Sequence, residues 1–190
     1  MNILGNSEKI DKDQKRNLWA LFIIGLIYGF SSRPFFLVYQ PFLLEITGSV
    51  FITGILVTLG GILLFLPKPW VGKLSDKFNR KKVWILGFPF FYIGMTFLLF
   101  AENLMFLVPG IILFHLSGAV GEISYNMFIS ASSNKLKKGI LFGLMFFSMF
   151  IGNIGGEIFV LLNIVKDIRV YFVLFMILGV SSDLITIFVI

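Results

Sequence analysis

The chain has 190 residues and a formal net charge of +6, with 57% hydrophobic and only 14% charged residues, where an average soluble domain carries roughly 25% charged. A mean hydropathy of +0.94 and 24 Phe exclude a water-soluble globule and also a disordered chain, which would be poor in aromatics. The absence of Cys excludes a disulfide scaffold and a Cys-ligated metal site. The basic balance is not a nucleic-acid footprint, because Lys and Arg gather between apolar runs instead of covering a wet face.

Residues 1–17 form a polar segment with Glu8, Asp11 and Asp13 beside Lys9, Lys12, Lys15 and Arg16; this reads as a cytoplasmic N-terminal segment, not a secretory signal. Six apolar runs follow, at about 18–44, 50–66, 83–100, 104–130, 139–165 and 170–190. Crossing a hydrocarbon core of about 30 Å takes roughly 20 apolar residues as a helix, and the runs lack the period-two alternation of barrel strands. The sequence therefore predicts an all-α integral membrane protein whose residues 18–190 make one bundle of six transmembrane helices.

The sixteen Lys and Arg give the orientation. Four lie in the amino-terminal segment, six between Lys68 and Lys82, and three between Lys135 and Lys138, thirteen on one side, while Lys166 and Arg169 alone mark the other. Such asymmetry predicts both termini in the cytoplasm and a multi-pass protein of the plasma membrane. Two triplets of helices also invite a search for a 3+3 inverted repeat. TLGGILLFL from Thr58 and NIGGEIFVLL from Asn153 place a Gly-Gly pair at matching positions, which reads either as shared ancestry or as a packing seam.

Between the second and third runs the chain reads GKLSDKFNRKK from Gly72 to Lys82. This resembles the signature loop of the major facilitator superfamily, a Gly, three residues, an Asp, a basic residue and, after a turn, further basic residues. Gly72, Asp76, Lys77, Arg80 and Lys81 match, and Asn79 stands where the family prefers Gly. Asn tolerates a left-handed backbone best after Gly, so the turn is expected to survive. Pro67 and Pro69 are expected to end the second helix, and Gly72 to let two helix ends approach. Asp76 is expected to offer an anion to basic side chains or a helix amino terminus, and Arg80 and Lys81 to anchor in anionic headgroups. The resemblance implies a conformational latch that bridges the two six-helix halves of a transporter. It also implies that this chain, ending within an apolar run at Ile190, is an amino-terminal half, a fragment, or a chain that must associate.

Two further family patterns depart from the sequence. Many drug exporters carry an Arg four residues before a Gly in the fourth helix, and here Phe114 precedes Gly118. Gly143, Gly152 and Gly156 follow the antiporter spacing, but Glu157 occupies the place of its Pro.

Ionisable groups within the apolar runs are costly unless paired or wetted, so each is a site candidate. They are Arg33, His115, Glu122, Glu157 and Asp183. At 1.5 Å per residue from the outer helix ends, Arg33 and His115 fall about 16 Å deep and Glu157 about 12 Å, one shared layer. Asp183 and Glu122 fall deeper, at about 20 and 27 Å, where a carboxylate would serve the latch. The seven-residue spacing of His115 and Glu122, with Asn126 one turn on, gives the fourth helix a polar stripe. These readings predict a central cavity lined by the first, fourth and fifth helices. In it Arg33 and Glu157 either meet a charged solute or form a structural ion pair. Asn153, Tyr28, Ser32 and Gln40 are lesser candidates, and Pro34 is expected to expose backbone carbonyls to the cavity. If transport is proton-coupled, Glu157 is the first carrier candidate, with solute binding at Arg33 releasing its proton.

The favoured function is secondary active transport of a small solute by alternating access. A half would need its missing C-terminal half, a partner chain or a homodimer. The rival is a truncated, non-transporting fragment or regulatory partner. A membrane enzyme acting on lipid is remote, because no clustered acids, metal-ligand set or phosphate-binding loop occurs and no cofactor is implied. The expected partners are the lipid bilayer and the solute, with no nucleic acid.

Overall fold

A computed structural model describes residues 12–131, 138–162 and 167–189. Most of the expected N-terminal segment, together with Lys135, Lys137, Lys166 and Ile190, lies outside the described residues. The described chain is helical throughout: α1 (Lys12–Thr47), α2 (Val50–Phe65), α3 (Lys68–Lys77), α4 (Arg80–Leu99), α5 (Leu104–Ala131), α6 (Lys138–Leu161) and α7 (Ile168–Phe188). Among the described residues six helices are long and apolar enough to cross a membrane, with α2 and α3 together supplying the second, Val50–Lys77.

That second span refines one expectation. The second helix does end at the prolines, since α2 stops at Phe65 with Leu66 as its C-cap, but the same prolines also begin α3, which the sequence did not suggest. Pro67 is the cap residue, with helical angles of φ −74 and ψ −16, and Pro69 falls in the first turn, where its missing N–H has no intrahelical acceptor to lose. The Pro67 carbonyl accepts from both Trp70 N and Val71 N at 3.0 Å. Gly72 to Lys77 is therefore helix, not loop, and only Phe78 and Asn79 separate α3 from α4. Asn79 is not left-handed either. At φ −63 and ψ 124 its side chain accepts from Lys81 N at 2.9 Å, so it caps α4 where a Gly would leave that N–H open. The positive-φ glycine among the described residues is Gly48, at φ 61, which turns the chain from α1 into α2.

Where helices meet closely, glycines replace side chains. Gly25 and Gly29 on α1 and Gly152 and Gly156 on α6 lie along one seam, with Gly25 against Ser148 and Met149 and Gly29 against Gly152. A Cβ at Gly29 would strike the Met149 carbonyl, one at Gly152 the Leu26 carbonyl, and one at Gly156 the Phe30 carbonyl. Two small-xxx-small faces thus bring backbones together, the usual source of helix affinity where lipid and side chain are equally apolar. Gly94 and Gly110 do the same between α4 and α5. The matching Gly-Gly pairs of the sequence both serve packing: Gly60 leaves room for the His115 ring, and Gly156 for α1.

Two buried layers cap the bundle's interior. One gathers Phe35, Tyr39, Met95, Ile111, Phe114 and Phe172, and the other Leu21, Ile24, Trp84, Ile129 and Met145. The outer surface is apolar as well, with Phe51 at 77% exposure and Leu161 at 81%, as lipid as the solvent requires.

Candidate functional site

Between the two buried layers lies a cavity of about 360 Å³, within the roughly 300–1,000 Å³ usual for small-molecule sites. It is lined by α1, α4, α5 and α7, with Leu64 from α2 and only Phe146 and Met149 from α6. The expected first, fourth and fifth spans all line it, the fifth only slightly, and the third and sixth spans, α4 and α7, which were not expected, carry much of the wall. Glycines make the space. A Cβ at Gly121 would meet nothing within 4 Å, and Gly87, Gly118 and Gly179 also line the cavity.

The polar stripe of α5 opens onto this cavity, since His115, Glu122 and Asn126 all line it. His115 Nδ1 lies 3.0 Å from the Ile111 carbonyl. If Nδ1 carries the proton it donates there, leaving Nε2 as an acceptor. Its ring lies 6.0 Å from Tyr39 and against Gly60, so most of the imidazole is packing. Glu122 accepts from Lys68 Nζ at 2.7 Å, and the same ammonium stands 4.4 Å from the Phe65 ring. Lys68, expected in a cytoplasmic connector, instead ties the start of α3 to α5. Asp183 also lines the cavity and accepts from Tyr92 Oη at 2.5 Å. The latch role expected from their depth is thus corrected, because both acids line this cavity and neither lines the groove at Asp76.

Arg33 and Glu157 do meet. Arg33 Nε and Nη2 stand 2.7 and 2.5 Å from the same oxygen, Glu157 Oε1, a one-oxygen pairing and not the two-oxygen fork of the strongest Arg–carboxylate pairs. They do not meet where expected, because neither residue lines the cavity, nor does Asn153. The pair sits on the α1 and α6 seam beside Gly156, with side chains 46% and 40% exposed. The expected shared layer fails because depth along a helix fixes height but not direction: His115 points to α2, while Arg33 points to α6. Pro34 likewise does not open a carbonyl to the cavity. Its ring removes the donor that Phe30 O would have had, and that carbonyl faces Gly156 of α6 instead. Tyr28 lines the cavity, Gln40 and Ser32 do not, and Ser32 Oγ donates to the Gly29 carbonyl at 3.3 Å.

At the α3 and α4 junction, Ser75, Asp76, Phe78, Asn79 and Arg80 line a shallow groove with Phe128 and Ala131. Asp76 is exposed and makes no hydrogen bond or ion pair among the described residues. Ser75 Oγ is buried without a partner. Gly72 brings no helix end close, since a Cβ there would meet nothing within 4 Å. Lys77 Nζ stands 5.7 Å from its neighbouring Phe78 ring, and Lys81 Nζ donates to the Ile187 carbonyl at 2.6 Å, holding the end of α7.

Sequence reasoning missed Tyr92 and the role of Lys68. Tyr92 follows four aromatic or Pro positions in FPFFY and carried no visible signal beyond a lone hydroxyl. Lys68 carried one, a cation four residues before a Gly in a segment that could continue as helix.

The family profile of the Major Facilitator Superfamily matches residues 21–190. The tetracycline resistance protein, class B, of Escherichia coli is 31% identical over 112 residues, covering 55% of this chain and 28% of that protein. The chain thus matches well under half the length of that relative.

Proposed function

The chain belongs to the Major Facilitator Superfamily, a family of transporters and not of enzymes, and from that premise we propose that it is a six-helix half of a secondary transporter moving a small solute. The observation that carries the reading is a roomy cavity in an apolar bundle, with Asp183, Glu122 and His115 in its wall. Intramembrane acids that line a cavity mark solute or ion pathways. The half works against a second bundle, supplied by a C-terminal half, another chain or a second copy, and alternates access by rocking. The relative's name, for tetracycline resistance, is in keeping with a drug-sized solute.

The groove at Asp76 is the latch of this reading. Gly72, Asp76, Lys77, Arg80 and Lys81 lie at one end of the bundle, and the carboxylate of Asp76 is free to take a cation from the opposing bundle. The same end carries Lys73, Lys82 and Lys138 among the described residues, against Arg169 at the other, which supports a cytoplasmic latch and a plasma-membrane protein with cytoplasmic termini. Arg33 and Glu157 act as a structural pair that fastens α1 to α6, and any coupled proton is carried by an acid of the cavity wall.

Because the chain has no Cys, a single reporter, with any Cys of the opposing bundle replaced, tests the reading without knowing the solute. Gly121→Cys fills open space. In membranes holding the full transporter, a carrier exposes that thiol to an impermeant maleimide from both faces in turn. Labelling from one face only, under all conditions, contradicts alternating access.

A further inference from the structure

The cavity's charge balance points to the class of solute, and the inference rests on the transport reading of that same cavity. Two carboxylates line it, Asp183 and Glu122. Glu122 is already matched by Lys68. Arg33, deep in the first span, is held by Glu157 away from the cavity. Asp183 has neutral hydroxyls as its hydrogen-bond partners, Tyr92 Oη and that of its neighbour Ser182, and no ion pair among the described residues. The wall around it is aromatic: Trp84, Phe88, Phe91, Tyr125 and Phe175 line the same space. Phe91 and Phe175 stand edge to face at 5.3 Å, and Trp84 and Tyr125 at 6.2 Å. Ring faces attract cations and apolar surface together, and a single carboxylate among them supplies orientation.

We propose that the cavity between α1, α4, α5 and α7 binds a lipophilic, aromatic cation, with its positive centre at Asp183 and its rings against the aromatic wall. An anionic solute finds no Lys or Arg among the described residues that line the cavity. Gly121 and Gly118 supply the width for a ring system, because a side chain at Gly121 would project into open space and not into a neighbour.

The test uses the full chain in detergent micelles with radiolabelled tetraphenylphosphonium as probe and tetraphenylborate, an anion of the same shape, as competitor. Saturable binding of the cation is expected, with no displacement by the anion. Asp183→Asn weakens binding about tenfold or more, while Asp183→Glu, which keeps the charge, stays within about threefold of the unaltered chain. Gly121→Leu, whose Cβ has nothing within 4 Å and whose branched end takes up cavity space, also weakens binding about tenfold or more. Absence of saturable cation binding overturns the proposal, as does equal competition by tetraphenylborate, or binding indifferent to both Asp183→Asn and Gly121→Leu. Failure here with two-sided labelling of Gly121→Cys removes the cation and leaves the carrier. One-sided labelling with tight, Asp183-dependent cation binding does the reverse.

Discussion

At the crossing of α1 and α6, Arg33 and Glu157 neutralise each other over a seam of glycines, where the backbones touch and no space remains. Across the bundle, Asp183 meets a phenol and an aromatic wall around about 360 Å³ of space. Both places hold ionisable groups within spanning helices, yet the first is closed in charge and volume and the second is open in both. A charge in the membrane is thus not by itself a solute site. What separates the two is whether the charge is already answered and whether anything else can enter.

The comparison breaks most visibly at the seam. Gly156→Leu forces a side chain against the Phe30 carbonyl and should destabilise the bundle by about 3 kcal/mol, read as a lowered unfolding midpoint in detergent. Gly143, on the same helix, has nothing within 4 Å of its Cβ position, which makes Gly143→Leu the control. The ion pair comes next. Glu157→Gln leaves Arg33 uncompensated and should cost about 2 kcal/mol, whereas the double change Arg33→Gln with Glu157→Gln should cost less, since no lone charge remains. Neither should move tetraphenylphosphonium affinity, because neither residue lines the cavity.

Smaller effects sharpen the other side. Tyr92→Phe removes one hydroxyl donor from Asp183 and should lower stability by about 1 kcal/mol, measured in the same unfolding assay. Gly143→Leu should stay within about 0.5 kcal/mol of the unaltered chain. A seam and a cavity that responded alike to these changes would erase the distinction.

The spans were legible in the sequence because hydropathy over about 20 residues is a long-range average, and Gly72, Asp76 and the basic residues after them announced the latch motif by spacing alone. The pairing of Arg33 with Glu157 was also accessible, from helix rise and orientation. What was not legible is direction around each helix. In a helix apolar on every side, no polar stripe marks the face that meets a neighbour, so Arg33 was assigned to the cavity and α4 and α7 were left out of it. Pro67 and Pro69 were legible as the end of α2 but not as the start of α3: proline stops a helix from within and also starts one from its first turn, and here it does both. The α1 glycines, Gly25 and Gly29, were the overlooked signal, since with Gly152 and Gly156 they set two small faces at matched spacing.

The account depends most on the cavity being a solvent compartment inside a lipid-facing bundle, and paired single-cysteine reporters test this directly. Asn126→Cys lies in the cavity wall, and Ile158→Cys on the outer surface of α6, where Ile158 is 51% exposed. Treated with an impermeant maleimide in native membranes, Asn126→Cys should react and Ile158→Cys should stay silent until detergent replaces the lipid. Reaction of Ile158→Cys in intact membranes, with Asn126→Cys silent, would contradict the account.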